Sequence, residues 1–127
     1  MTRLSQTPTP YGYASTSDVT WSRAEKAVAR RAYDAALERE LQEVMEDARQ
    51  RASRIRQPSD VWDLEQYLTQ RRKEIDRKYQ FRASHLTQVL GRLLHEKRIS
   101  ERELRGLHEE KLKSMRSFAK LLTESVA

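Results

Sequence analysis

Cysteine is absent from the 127 residues. That removes a disulfide framework, a thiolate zinc site and a cysteine nucleophile together. Glycine and proline number three each, too few for the turns of a β-sandwich, a dinucleotide-binding unit or a glycine-rich phosphate loop. Two of the prolines, Pro8 and Pro10, fall near the start, so only Pro58 punctuates the rest. Apolar runs are short, and none is long enough to cross a bilayer. The opening MTRLSQTPTP lacks the apolar stretch of a secretory signal, so a cytoplasmic location is expected. What is abundant is charge: 35% of residues are charged against 37% apolar, and mean hydropathy is −0.92. A 15.0 kDa chain of this balance has the size of one domain and is expected to be all-α.

Net charge is +6. A basic chain invites a nucleic-acid reading, because Lys and Arg neutralise phosphates and release counterions. Here the two signs interleave along the whole chain, as on the solvated faces of long helices. Only Arg49, Arg51, Arg54 and Arg56, and the run Arg71-Arg72-Lys73, form denser patches. No specific nucleic-acid partner is expected.

Residues 1–18, rich in Ser, Thr and Pro, lack an apolar period and are expected to form a disordered tail. Ser22 and Glu25 have the spacing of a capping box, so a first helix should start there and run unbroken to Ile55. Its apolar stripe is Tyr33, Leu37, Leu41, Val44, Met45, Ala48, Ala52 and Ile55. A helix that long with so narrow a stripe needs a partner. Pro58 ends it, because the residue before a proline is pushed out of the α region. Ser59 or Asp60 should cap a second helix with the stripe Val61, Leu64, Leu68, Ile75 and Tyr79. So short a link predicts an antiparallel hairpin. The apolar pattern continues through Leu86, Val89, Leu90, Leu93 and Leu94, and periodicity leaves open whether the helix breaks near Phe81–Ser84. Ser100 with Glu103 predicts a second capping box, opening a last helix through Leu104, Leu107, Leu112, Met115, Phe118, Leu121 and Leu122. The organisation expected is a tail over 1–18, an extended hairpin and dimerisation region over 19–82, and a helical head over 83–127.

Catalytic patterns are missing. His85, His95 and His108 form no ligand pair, and the carboxylates lack a histidine partner. No P-loop or nucleophile elbow occurs. No enzyme activity, cofactor or metal is expected. The stretch Asp60–Tyr79 stands apart, because Trp62, Tyr67 and Arg72 are residue types that dominate binding interfaces. On a helix Trp62, Glu65 and Gln66 share a face, with Tyr67 beside it. The bland reading is that Trp62 plugs the hairpin and Arg72 pairs with Glu65 or Asp76.

Several runs carry a family resemblance: Trp21-Ser22-x-Ala24-Glu25, Arg39-Glu40-Leu41 and Trp62-x-Leu64-x-x-Tyr67-Leu68. After them come Arg72-x-Glu74-Ile75-Asp76-x-Lys78-Tyr79-x-x-Arg82 and Leu93-Leu94-x-Glu96. Over roughly residues 20–120 the chain resembles the fluorescence recovery proteins, helical regulators of the orange carotenoid protein. The resemblance implies a homodimer that binds the photoactivated red carotenoid protein, chiefly through that protein's C-terminal domain. It then speeds return to the orange form, so that phycobilisome fluorescence recovers. It also implies partner binding at Trp62, Glu65, Gln66, Tyr67 and Arg72, while the hairpin stripe, too long for one chain to cover, predicts a dimer interface near Val61, Leu64 and Leu68. The family's central motif carries His and Asp where this chain has Glu65 and Gln66, and the family's head carries an aromatic where this chain has Gln88. Two other functions fit a basic helical chain of this kind: an adaptor of the same fold for a different protein partner, and a coiled-coil nucleic-acid binder.

Overall fold

The computed structural model describes residues 20–126, so the tail expected over 1–18 lies outside the described residues. Four α-helices follow one another: α1 (Arg23–Ser53), α2 (Pro58–Lys78), α3 (Ala83–His95) and α4 (Glu109–Val126). A 3-10 turn, Glu101–Leu104, stands between α3 and α4. The fold is all-α, as the composition predicts.

Helix α1 starts where its sequence says. The Ser22 hydroxyl accepts from the Glu25 N–H at 3.0 Å, and the Glu25 carboxylate accepts from the Ser22 N–H at 3.1 Å. The start of α2 differs from expectation. Neither Ser59 nor Asp60 is the cap. Pro58 is the first helical residue, as its fixed φ suits, and Gln57 is the N-cap. Asp60 contributes from inside the first turn, its carboxylate accepting from the N–H groups of Arg56 (2.8 Å) and Gln57 (3.1 Å).

The chain does break near Phe81. Helix α2 ends at Lys78, and the Tyr33 hydroxyl donates to the Tyr79 carbonyl at 3.1 Å. The Tyr33 ring meets Tyr79 and Phe81 edge-on, with centroids 5.3 and 5.1 Å away. The Ser100 box also forms, with the Ser100 N–H donating to Glu103 at 2.9 Å. It opens only the 3-10 turn, which corrects the expected continuous last helix. Leu104 and Leu107 are buried around Gly106, whose φ of 109 suits a residue without Cβ. Helix α4 begins only at Glu109.

One core joins most elements. From α1 it takes Val28, Ala29, Ala32, Tyr33 and Ala36, from α3 Leu86, Val89, Leu90 and Leu93, and beyond these Ile99, Leu104, Leu107 and Met115. Alanines let α1 lie close against the rest. Gly91 does the same for α3: a Cβ there would stand 3.1 Å from the Met115 carbonyl and the Phe118 ring. The buried face of α1 is therefore not the stripe expected from Leu41 and Met45, which are 42% and 44% exposed. Helix α2 buries no residue at all. It runs antiparallel to α1, because Tyr67 reaches Asp47 whereas Lys78, further along, reaches Glu40.

Candidate protein-interaction site

Helix α2 presents the side chains singled out in the sequence. Trp62 is 66% exposed, which contradicts its placement as a hairpin plug, and beside it Val61 and Leu68 are 42% and 39% exposed. Glu65, Gln66 and Arg72 are exposed and Leu64 is half-buried. Arg72 does not pair with Glu65. Its nearest carboxylate, Asp76, is 3.9 Å away, with both side chains in solvent, so the pair contributes little. Tyr67 differs from the others because it turns toward α1. Its hydroxyl donates to Asp47 at 2.9 Å, and the Arg51 guanidinium lies 3.9 Å from its ring centroid. Burial and the Asp47 carboxylate push its phenol above the ordinary range. The structure thus brings Trp62, Glu65, Gln66 and Arg72 to the open surface and locks Tyr67 to the neighbouring helix.

Beneath this surface lies a charge network that the sequence reading did not identify. Glu40 is fully buried and is surrounded by four positive or hydrogen-bonding partners, three of which donate to it and one of which, Arg98, pairs with it by charge. They are Arg71 at 3.0 Å, Lys78 at 2.9 Å, the Tyr79 hydroxyl at 2.9 Å and Arg98 at 3.2 Å. Glu96 shares two of them, taking Lys78 at 2.7 Å and Arg98 at 2.8 Å. Burial alone would raise the Glu40 carboxyl, but hydrogen bonds from Lys78 and Tyr79 outweigh it and hold the group below the usual range. Burial and the same carboxylate push the Tyr79 phenol far up. Such a site locks charges in place. One clue lay in the spacing. Glu40 continues the run Ala29, Tyr33, Ala36 at steps of three and four, so it occupies a core position on α1.

A second knot closes the other end of α1. Lys111 donates to Glu25 at 2.9 Å and to the Thr20 carbonyl at 2.6 Å, and the His108 N–H donates to Glu25 at 3.0 Å. The Lys111 ammonium also lies 4.8 Å from the centroid of buried Trp21. His85 and His108 are exposed and His95 is half-buried against Thr123. No group of three His, Cys, Asp or Glu suited to a metal occurs among the described residues. None of their helices is long and apolar enough to cross a membrane.

Comparison with known proteins agrees with this geometry. Residues 21–119 match the family model described as photoprotection regulator fluorescence recovery protein. A fluorescence recovery protein of Synechocystis sp. is 34% identical over 106 residues, covering 84% of this chain and 97% of the relative. The solved structure of the Fremyella diplosiphon fluorescence recovery protein is 35% identical, with a TM-score of 0.75 over 80% of this chain and 99% of that one. The structure of the Synechocystis protein superposes with a TM-score of 0.76 at 34% identity, again over 80% and 99%. The matched span takes in Trp21 and Glu25, the buried Glu40 network and the open face of α2. Family and fold lead to one conclusion: this chain belongs to the fluorescence recovery protein family and is a photoprotection regulator.

Proposed function

We propose that this chain works as a homodimer that binds the photoactivated red form of the orange carotenoid protein, or a homologue of its C-terminal domain. By speeding return to the orange form it would let phycobilisome fluorescence recover. In this reading α1 and α2 form an extended arm, Val61, Leu64 and Leu68 line the dimer interface, and Trp62, Glu65, Gln66, Tyr67 and Arg72 contribute to partner binding. Residues 83–127 form the head, onto which the first turns of α1 fold. One observation supports it above the rest: α2 buries nothing within its own chain, yet exposes Trp62 at 66%, Val61 at 42% and Leu68 at 39%. Apolar surface of that kind, together with exposed Leu41 and Met45 on α1, marks an interaction face. No cofactor is needed. The regulator must hold the path toward the orange form better than the red state, since equal affinity for both shifts nothing.

The test is absorbance recovery of carotenoid protein in the dark after blue light, with and without this protein. Wild type should accelerate recovery. Arg72→Leu, which removes a planar fork suited to a carboxylate, should blunt that effect, and Gln66→Asp, which restores the acid of the family motif, should raise it. If neither wild type nor Gln66→Asp accelerates recovery, the adaptor reading with a different protein partner takes its place.

A further inference from the structure

A second charged surface lies away from α2. Where α1 passes the 3-10 turn, a hollow of about 440 Å³ opens between Arg31 and Ala32, Ala35 on one side and Arg102, Glu103, Arg105 on the other. Its floor is low because Ala32 and Ala35 carry nothing beyond Cβ. Arg31, Arg102 and Arg105 are exposed. No carboxylate engages any of these three guanidinium groups among the described residues, while the acids beside them are already taken. Glu103 is gripped by Arg39 through two bonds of 2.7 and 3.0 Å, and Glu101 by Arg116 at 3.0 Å. The Arg39 fork holds the Glu103 carboxyl below its usual range, so the hollow keeps a surplus of fixed positive charge. An adjoining hollow of about 480 Å³ shares Glu103 and adds Arg39 and Lys97.

We propose that the hollow rimmed by Arg31, Arg102 and Arg105 is a docking site for an acidic protein segment, whose Asp or Glu side chains enter over Ala32 and Ala35. Charge complementarity carries the assignment. Guanidinium forks match carboxylates bidentately, and three of them converge on one concavity. Nucleic acid fits less well, because phosphate binding draws on a track of many cations, whereas acids interleave with bases along the rest of α1. The chain does not supply the segment itself: its first nineteen residues hold one acid, Asp18, against Arg3. This surface adds to the α2 face, and its test does not depend on the identity of the carotenoid partner.

The experiment is fluorescence anisotropy of a dye-labelled peptide of about ten glutamates, titrated with the full chain near 20 mM salt. Wild type should bind, and binding should fade as salt rises. The triple variant R31E/R102E/R105E should weaken it by about tenfold or more. A control triple, K26E/K73E/K120E, makes the same change in net charge at other exposed cations and should weaken it much less. The neutral triple R31Q/R102Q/R105Q guards against a fold disturbed by charge reversal, with circular dichroism as the check, and should fall between the two. Equal loss in control and hollow variants, or no binding by wild type, overturns the proposal. Tighter binding to a short DNA duplex than to the peptide, lost in the hollow variant, would overturn it in favour of a phosphate site.

Discussion

Two buried glutamates show how single side chains set this structure. Glu40 and Glu25 are 0% and 3% exposed, and each would be intolerable without donors, since a lone buried carboxylate costs several kcal/mol. Their partners come from far along the chain: Arg71, Lys78 and Tyr79 as donors and Arg98 as an ion pair for Glu40, and Lys111 with the His108 N–H for Glu25. Each therefore acts as a register pin between segments. Burial would raise the Glu25 carboxyl, but bonds from Lys111, His108 and Ser22 outweigh it and lower the group from 4.5 to about 2. A carboxyl lowered by folding stabilises the protein above its unfolded value, and that stabilisation is lost as pH falls toward the folded value. At full strength it is on the order of 3 kcal/mol. Glu25→Gln should thus lower the denaturation midpoint markedly at pH 6, whereas near pH 2.5 the two proteins should converge. Urea titrations at several pH values check this, and a gap that stays constant down to about pH 2.5 would show that Glu25 does not act through its charge.

Among the elements, the turn around Gly106 decides where α4 can begin. Its φ of 109 belongs to glycine, and a Cβ there would meet the Val28 side chain at 2.9 Å. Gly106→Ala should destabilise by about 1–3 kcal/mol through backbone strain and that clash. Thermal unfolding followed by circular dichroism measures it; an unchanged midpoint would mean that the turn relaxes freely. The same turn marks a limit of the sequence reading. Both serine capping boxes were visible because they need only residues three apart, and both form. That the second opens a 3-10 turn rather than a long helix depends on burying Leu104 and Leu107 against distant α1. The end of α2 is similar, because the Tyr79 carbonyl finds its donor in Tyr33, 46 residues away. At the site, the exposed α2 residues Trp62, Glu65, Gln66 and Arg72 were readable from residue type and helical spacing. The turn of Tyr67 toward Asp47 was not, since it needs the α1–α2 pairing to exist first. The core face of α1 was misplaced toward Leu41 because leucines outweigh alanines in an apolar stripe, whereas close packing favours the alanines.

At the scale of the whole molecule, the single chain is unevenly finished. Around α3 and α4 it closes a core with fully buried Leu90, Leu93, Leu104 and Met115. Along the second half of α1 and all of α2 it holds together through polar contacts such as Tyr67 with Asp47 and Arg71 with Glu40, and leaves Leu41, Met45, Val61, Trp62 and Leu68 in solvent. Long paired helices with such a surface gain stability by covering it with a second copy, because hydrophobic burial yields about 25 cal/mol for each Å² removed from water. A dimer formed this way would be folded and assembled in one linked equilibrium, so its unfolding midpoint should rise with protein concentration. Val61→Glu would place an unpaired charge in the proposed interface while disturbing little in the isolated chain, where that side chain is already 42% exposed. Light scattering should therefore report a dimer for wild type at micromolar concentration and a monomer for Val61→Glu. Circular dichroism should show that the variant keeps its helices around the intact α3–α4 core, with a midpoint that no longer depends on concentration. A wild-type monomer, or a Val61→Glu protein that remains dimeric, would place the contact between copies elsewhere and leave the open face of α2 to the partner alone.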